Sequence, residues 1–133
     1  MEQQDALKEV GVEEVIIYCV NDGAVMMAWA KDQGVTDEGM ISLMGDPYGD
    51  LTVALQMELT HPGPASVGIT GRCKRFALYI EDGVVQIVRV AESENDPAGD
   101  EFPDVTLAES MVQAIQEYQA SSVKQTQYQG GEL

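Results

Sequence analysis

The spacing of apolar residues along this chain switches between the helical period and the continuous runs of buried strands. These switches predict alternating helices and strands. Residues 3–10 carry apolar side chains at helical spacing, and Gly11 follows as a helix stop. Residues 15–20 form a continuous β-branched run, which is typical of a strand buried on both faces of a parallel sheet. The same reasoning predicts helices at 3–10, 22–33, 51–59 and 106–118 and strands at 15–20, 40–44, 76–80 and 84–90.

Turn and capping residues mark several of these boundaries. Asn21 or Asp22 can cap the second helix. The pair Asp82-Gly83 can adopt the positive φ angles of a type I′ hairpin turn between the last two strands. Thr106 and Glu109 have the spacing of a capping box at the start of the last helix. The resulting order, α-β-α-β-α-β-β-α, indicates an α/β fold.

The apolar periodicity stops near residue 119. Residues 120–133 are rich in glutamine, serine and glycine and show no apolar period, which predicts a flexible C-terminal tail or linker. At 133 residues the chain has the size of one domain. We therefore expect one domain over residues 1–119, followed by a tail over 120–133.

The charge of the chain limits its partners. The formal net charge is −16, from 23 acidic and 7 basic residues. Such a surface repels phosphate backbones and anionic membranes, so we expect no nucleic-acid partner. No apolar run reaches the length of a membrane-spanning segment, and the first residues do not resemble a secretory signal. Only two cysteines are present, which suits a reducing intracellular compartment, either the cytoplasm or an organelle such as a plastid or mitochondrion.

Common site motifs are scarce. One histidine, His61, and two widely separated cysteines match neither a zinc site nor a histidine-containing triad. No phosphate-binding glycine motif occurs. The acidic loop at 92–104 departs from the EF-hand pattern because Pro97 stands where that pattern requires glycine. We therefore expect no metal ion and no cofactor.

Two segments carry a resemblance to a known family. Read in order, Val20–Trp29 (VNDGAVMMAW) and Lys74–Gly83 (KRFALYIEDG) resemble the second half of a peroxiredoxin of the peroxiredoxin-5 (redoxin) type. Asp46-Pro47 with Gly49 is similar to that family's Asp-Pro-x-Gly turn. The resemblance covers residues 2–116. It implies a thioredoxin-like sheet flanked by helices that lacks the N-terminal strands and the active-site segment.

The resemblance also defines what the sequence lacks. The family's Pro-x-x-x-Thr-x-x-Cys motif, whose cysteine thiolate attacks peroxide, does not occur in these 133 residues. Met1 falls inside a family helix, so the chain is expected to be a truncated gene product, a deliberately shortened chain or part of a longer one. Arg75 matches the family arginine that hydrogen-bonds the thiolate and the peroxide. An arginine suits that role because it stays charged and offers several donors in a fixed fork.

The two cysteines have different expected roles. Cys19 lies in a strand with a core-like pattern, so we expect a small core side chain. Cys73 stands between Arg72 and Lys74, and the nearby cations favour its thiolate. We therefore expect Cys73 to be a redox-sensitive thiol. It is a poor replacement for the missing nucleophile, because it lies on a strand edge and not at a helix N-terminus. Residues 102–106 contain no resolving cysteine.

In a complete family member, the strand that leads to the active-site cysteine lies between the strands matching 15–20 and 76–80. The resemblance therefore implies an empty strand position here, which a partner protein or a missing chain segment would fill. Two functions follow. The favoured one is a non-catalytic binding or structural subunit of a larger assembly. The alternative is part of a one-cysteine thiol peroxidase, dependent on glutathione or glutaredoxin, that reduces hydrogen peroxide and alkyl hydroperoxides.

Overall fold

The computed structural model describes residues 3–60, 66–68, 70–91 and 103–131, with side chains through residue 122. The predicted loop around His61 and most of the predicted acidic loop at 92–104 lie outside these residues. The described elements are α1 (Gln4–Glu9), β1 (Val15–Cys19), α2 (Gly23–Asp32), β2 (Ile41–Gly45), α3 (Asp50–Ala54), β3 (Phe76–Glu81), β4 (Val84–Val90), a 3-10 turn (Asp104–Thr106) and α4 (Ala108–Gly131). This order confirms the α/β class.

Local sequence signals account for most element boundaries. Gly11 follows α1 with a positive φ of 91°, as expected of a helix stop. The Asp22 carboxylate accepts a hydrogen bond from the Val25 amide at 2.9 Å and caps α2. Asp82 and Gly83 have φ angles of 51° and 80°, which confirms the predicted hairpin turn.

The strands form two separate ladders in the described part of the chain. β1 pairs with β2 in parallel, from Val15 opposite Ile41 to Cys19 opposite Gly45. β3 pairs with β4 in antiparallel fashion, with an irregularity between Tyr79 and Ile80. Neither pair is hydrogen-bonded to the other within the described residues. We call β1, β2 and α2 the parallel half, and β3, β4 and α4 the hairpin half.

The main apolar core belongs to the hairpin half. It contains five buried residues, Val10, Ile87, Met111, Ala114 and Ile115. Val12, Ala77 and Tyr79 pack against it, as do Val112 and Tyr118 from α4. Since α4 places Met111 and Ile115 on one face at i,i+4 spacing, the predicted apolar face of this helix is confirmed there. The core thus joins the chain before β1 to the hairpin and to α4.

Two structural expectations are wrong, and both concern interactions with neighbours. β1 was expected to be buried on both faces, but Ile16 is 55% exposed and Ile17 is 37% exposed. These adjacent side chains point to opposite faces, so β1 lacks cover on both sides. The capping box does not form either. The Thr106 hydroxyl donates to the Pro103 carbonyl at 2.9 Å, and α4 begins only at Ala108.

The last helix is longer than the sequence pattern suggests. Its backbone is helical as far as Gly131, although residues 120–133 carry no apolar period. The boundary between a domain over 1–119 and a flexible tail over 120–133 stays a prediction. No helix in the described parts of the chain combines the length and apolarity needed to cross a membrane.

Candidate functional site

A chain of polar contacts lies at the carboxyl end of the parallel half. The turn after β2 places Asp46 against the start of α3, and the Asp46 amide donates to the Cys19 carbonyl at 2.9 Å. The Asp46 carboxylate accepts hydrogen bonds from the Thr52 hydroxyl at 2.8 Å and from the Thr52 amide at 3.0 Å. The Thr52 hydroxyl lies 3.1 Å from the Tyr18 hydroxyl. We call Asp46, Thr52, Tyr18 and Cys73 the polar chain.

The carboxyl end of the polar chain is charged. Burial of the Asp46 carboxyl acts to raise its pKa, but the hydrogen bonds from Thr52 and Leu51 outweigh burial and leave the pKa below its usual value. Three donors therefore hold this carboxylate in its ionised form. Gly49, with a φ of 73°, makes the tight turn that brings the N-terminus of α3 onto the carboxylate.

The other end of the polar chain reaches a thiol. Cys73 is one of the groups that act on the pKa of the Tyr18 hydroxyl, which places its thiol in the same neighbourhood. Burial is the largest cause that raises the pKa of Tyr18 to about 12, while the Thr52 hydrogen bond acts to lower it and the charges of Cys73 and Asp46 raise it further. Tyr18 is therefore a neutral hydroxyl at physiological pH, able to donate a hydrogen bond to one neighbour and accept one from another.

Cys73 lies in a short stretch that connects the two halves. It pairs with Glu58 in an isolated antiparallel bridge. The Leu59 amide donates to the Arg72 carbonyl at 2.9 Å, and the Lys74 amide donates to the Met57 carbonyl at 2.8 Å. Cys73 thus lies three residues before β3, in an extended segment without a helix N-terminus.

Thr70 precedes Cys73 at the Thr-x-x-Cys spacing of the family motif, a coincidence that the sequence reasoning missed. Residue 66, where the motif would need proline, is serine. Residues 70–75 contain no helix, so this short match does not place Cys73 at a helix N-terminus as an activated thiol requires. The Thr-x-x-Cys spacing at Thr70 and Cys73 is therefore not accompanied by the helix that would activate the thiol.

Cys19 is half-buried and not fully buried as a core residue would be. Burial is the largest cause that raises its pKa, the nearby Cys73 raises it further, and Arg72 acts to lower it. Cys19 and Cys73 are therefore electrostatically linked, which their positions in the sequence do not reveal.

Arg72 and Arg75 have distinct positions. The Arg72 guanidinium donates to the Val20 carbonyl at 2.9 Å and to the Asn21 side-chain oxygen at 3.2 Å, and so links the segment before β3 to the end of β1. Arg75 is exposed and directly precedes β3, and its carbonyl accepts a hydrogen bond from the Ala91 amide at 2.9 Å. The structure therefore brings the predicted site residues Cys73 and Arg75 into one segment beside the end of β1.

The described residues contain no group of three or more histidine, cysteine, aspartate or glutamate side chains that could hold a metal ion.

Two grooves of about 340 and 190 Å³ run between β4 and α4 and share Arg89, Ala114 and Glu117. Neither groove is lined by a residue of the polar chain. The sequence reasoning missed Tyr18 and Thr52. The sequence offered one indication of this contact, a turn carboxylate at Asp46 followed six residues later by the hydroxyl of Thr52.

Comparison with known proteins finds that the chain is similar to peroxiredoxins. No family model matches it. It is 34% identical over 110 residues to "Peroxiredoxin-2E, chloroplastic" of Arabidopsis thaliana, over 82% of this chain and 42% of that protein. It is 31% identical over 115 residues to "Peroxiredoxin-2B" of the same plant, over 86% of this chain and 64% of that protein.

Solved structures agree. Reduced Prx3 from Vibrio vulnificus, in complex with hydrogen peroxide, superposes with a TM-score of 0.69 at 30% identity, over 89% of this chain and 65% of that one. Peroxiredoxin 5 from Alvinella pompejana superposes with a TM-score of 0.62 at 28% identity, over 87% of this chain and 64% of that one. The chain spans about two fifths to two thirds of the length of these relatives. The chain is therefore similar to peroxiredoxins over most of its own length, and it has their thioredoxin-like α/β fold.

Proposed function

We propose that this chain acts as a peroxiredoxin-derived binding module, a non-catalytic subunit of a larger protein assembly. The observation that carries the proposal is the division of its strands into two separate pairs. Within the described residues, β1 has one hydrogen-bonded neighbour, β2, and β3 has one, β4. Each of β1 and β3 therefore presents a second edge that another strand can join.

The open edges are unfavourable for an isolated chain. An unpaired N–H or C=O that becomes buried costs about 1–3 kcal/mol, whereas a whole domain is stable by only about 5–15 kcal/mol. An edge left in water is a template for pairing with another chain. The exposed apolar side chains of Ile16 and Ile17 add to the cost. A partner segment bound to these edges would pair the backbone groups and cover the exposed apolar side chains.

We expect the residues of this chain to be insufficient for peroxidase activity. The peroxidatic motif is absent from the sequence, and Cys73 lies in an extended segment and not at a helix N-terminus. Arg75 can stabilise a thiolate and a peroxide only where a nucleophile is supplied. We therefore expect the chain alone to turn over no peroxide.

Isolation of the protein from its native source tests this proposal. We expect co-elution with a second polypeptide and no peroxide consumption above the level of a Cys73→Ser control. Peroxide reduction by the pure chain would overturn the proposal. A cooperatively folded monomer with a high melting temperature would also contradict it, because the open edges would then need no partner.

The alternative is that the chain belongs to a one-cysteine thiol peroxidase that uses glutathione or glutaredoxin to reduce hydrogen peroxide and alkyl hydroperoxides. The observation that favours it is Arg75, which is exposed next to the open edge of β3. A native mass several kilodaltons larger, with an upstream reading frame that encodes Pro-x-x-x-Thr-x-x-Cys, would support it. In such a protein Arg75→Gln should lower kcat/KM for peroxide without unfolding the chain.

Cys73 is also proposed to be a redox-sensitive thiol. Its support is the position of Cys73 between Arg72 and Lys74 in a partly exposed segment. Mass spectrometry after exposure to dilute hydrogen peroxide should find oxidation at Cys73 before Cys19. Equal modification of both cysteines would contradict this assignment.

A further inference from the structure

We propose that the groove between β4 and α4 binds an extended, basic peptide segment as an added strand, and that Arg89 blocks this edge in the free chain by hydrogen-bonding the Val88 carbonyl. The site lies in the hairpin half. It therefore goes beyond the binding role proposed for the edges of β1 and β3, and it can be tested separately from that role.

The two adjoining grooves follow the outer edge of β4. On the strand side, the larger groove is lined by four consecutive residues, 86–89, and the smaller one continues from Arg89 toward Ser110. Successive residues of a strand point to opposite faces, so a groove that meets all four runs along the backbone edge. The part of α4 that lines the grooves extends from Ser110 to Ser121, which is about 16 Å of helix. A strand of about five residues has this length.

The ladder between β3 and β4 determines which backbone groups face the groove. The Ala91 amide donates to the Arg75 carbonyl at 2.9 Å. Hydrogen-bonded pairs alternate with non-hydrogen-bonded pairs in an antiparallel ladder, so Val90 and Val88 belong to non-hydrogen-bonded pairs. Their N–H and C=O groups therefore point away from β3, toward the outer edge. Among the residues that the structure describes, no second strand pairs with this edge of β4.

Arg89 covers one of these backbone groups with its own side chain. Its guanidinium donates to the Val88 carbonyl at 3.2 Å. Arg89 lies on the same face of β4 as the buried Ile87, the face that packs toward α4, so its side chain turns from that face around the edge. A charged side chain on an edge strand hinders pairing with other strands. Because an added strand needs the same carbonyl, it must displace the Arg89 hydrogen bond.

Charge favours a basic segment. The chain carries a net charge of −16, which attracts cations over a distance. Inside the site, Glu117 lines both grooves and is exposed, so its carboxylate can pair with a lysine or arginine of the segment. A second copy of the chain is a weaker candidate, because two chains of this charge repel each other.

The side chains at the edge also define the pattern of the segment. Glu117 and Ala114 lie on the α4 side of the groove. Val88 points to the opposite face of β4 and is 47% exposed. A strand beside β4 thus has a polar, acidic neighbour on one face and an apolar neighbour on the other. It should alternate basic and apolar residues, and its main chain supplies the hydrogen bonds common to strand addition.

Synthetic peptides added to the full chain test the inference. Fluorescence anisotropy measures affinity, and amide hydrogen exchange locates the bound peptide. The first probe is a labelled heptapeptide, blocked at both ends, in which lysine alternates with valine. A second probe replaces each lysine by glutamate. A third replaces two valines by proline, which removes ladder donors.

We expect the lysine probe to slow exchange in 84–90 and to leave 15–19 unchanged, because the site is the outer edge of β4. The glutamate and proline probes should leave both segments unchanged. These outcomes establish where the segment binds and which charge and which backbone donors it needs.

Two variants should change the affinity for the lysine probe in opposite directions. Glu117→Gln should weaken binding about threefold, within the range of one exposed ion pair, whereas Glu38→Gln, a carboxyl between α2 and β2, should have little effect. Arg89→Met keeps the apolar stem but removes the charge and the donor, so it should tighten binding about threefold. Lys31→Met on α2 makes the same change in net charge and should not tighten binding. Circular dichroism checks that each variant is folded.

Unchanged exchange in 84–90 with every probe would overturn the site. Equal binding of the lysine and glutamate probes would overturn the assigned charge. Weaker binding by Arg89→Met would mean that Arg89 contacts the segment and does not block the edge. A dimer of the Arg89→Met chain that protects 84–90 would show a second copy to be the occupant. Protection of 15–19 alone would support the role proposed for the β1 edge and contradict this site, so failure of one proposal is distinct from failure of the other.

Discussion

The hairpin half and the parallel half contain similar apolar side chains but bury them to different extents. In the hairpin half, Ile115 and Met111 pack with Ile87 in a closed cluster, and Ile115 is only 2% exposed. In the parallel half, Met26 is equally buried, yet Ile16 and Ile17 on β1 are exposed. The difference lies in the neighbours, because the hairpin half has α4 across its sheet, while β1 is paired on one edge only among the described residues.

This contrast shows that a residue's burial is a property of its surroundings. A β-branched run such as 15–19 is typical of a strand whose two faces are both packed against other parts of a protein. The described chain provides this packing only in part, with β2 on one edge and α2 nearby. The unmet part is the physical basis of the proposed binding role.

The largest expected effect separates the two halves directly. Ile115→Ala should lower the free energy of unfolding by about 2–5 kcal/mol, because it removes buried methyl groups and leaves a cavity. Ile16→Ala, the matched control on β1, should change it by less than about 0.5 kcal/mol, as exposed positions do. Urea unfolding followed by circular dichroism measures both. Equal losses would mean that β1 is covered in solution by something bound to it.

The next effect concerns acid. Because the pKa of Asp46 is lowered in the folded state, its stabilising effect is present above the carboxyl's ordinary pKa and is lost as pH falls through the lowered value. Asp46→Asn should therefore destabilise the chain at neutral pH and flatten the acid limb of its stability profile. Asp37→Asn, a loop carboxyl, is the control. Thermal melts between pH 2 and pH 7 measure the profile, and an unaltered acid limb would contradict the assigned hydrogen bonds.

A smaller effect is expected from the Tyr18 hydroxyl. Tyr18→Phe should cost about 1 kcal/mol at pH 7, or about 4 °C in Tm, because the hydrogen bond with Thr52 is lost while the ring contact with Phe76 remains. The raised pKa predicts a second result. The stability due to Tyr18 is present below pH 10.0 and is lost as pH rises toward about 12. Tyrosinate absorbance of the folded chain, compared with that of the variant, measures this titration.

The smallest effect concerns the cysteines. Because its pKa is raised, Cys19 should react with iodoacetamide at pH 8 more slowly than an unfolded cysteine. Cys73→Ser should speed that reaction modestly, since it removes one of the groups that raise the pKa of Cys19. Peptide mapping after timed alkylation gives both rates. A Cys19 rate that is indifferent to Cys73 would show that the two thiols lie farther apart than inferred.

Local features of the fold were predictable from the sequence. The φ angles of Asp82 and Gly83 follow from residue type, and so does the cap of α2 by Asp22. The predicted capping box did not form because Thr106 belongs to the 3-10 turn and the helix begins only at Ala108, so Thr106 is not at the N-cap position. The polar chain from Asp46 to Cys73 was not predictable, since its members come from four separate segments.

The sequence by itself determined the order of the elements, the hairpin, the absence of the peroxidatic motif and the relation to peroxiredoxins. These are properties of residues close together along the chain, or of motifs matched residue by residue. Tertiary structure alone decided that β1 is exposed on both faces, that the Tyr18 hydroxyl meets the Thr52 hydroxyl, and that the ring of Tyr18 contacts the ring of Phe76. Burial and contacts between distant segments depend on which surfaces meet in the folded chain. A sequence pattern shows that a surface is apolar but not which surface packs against it.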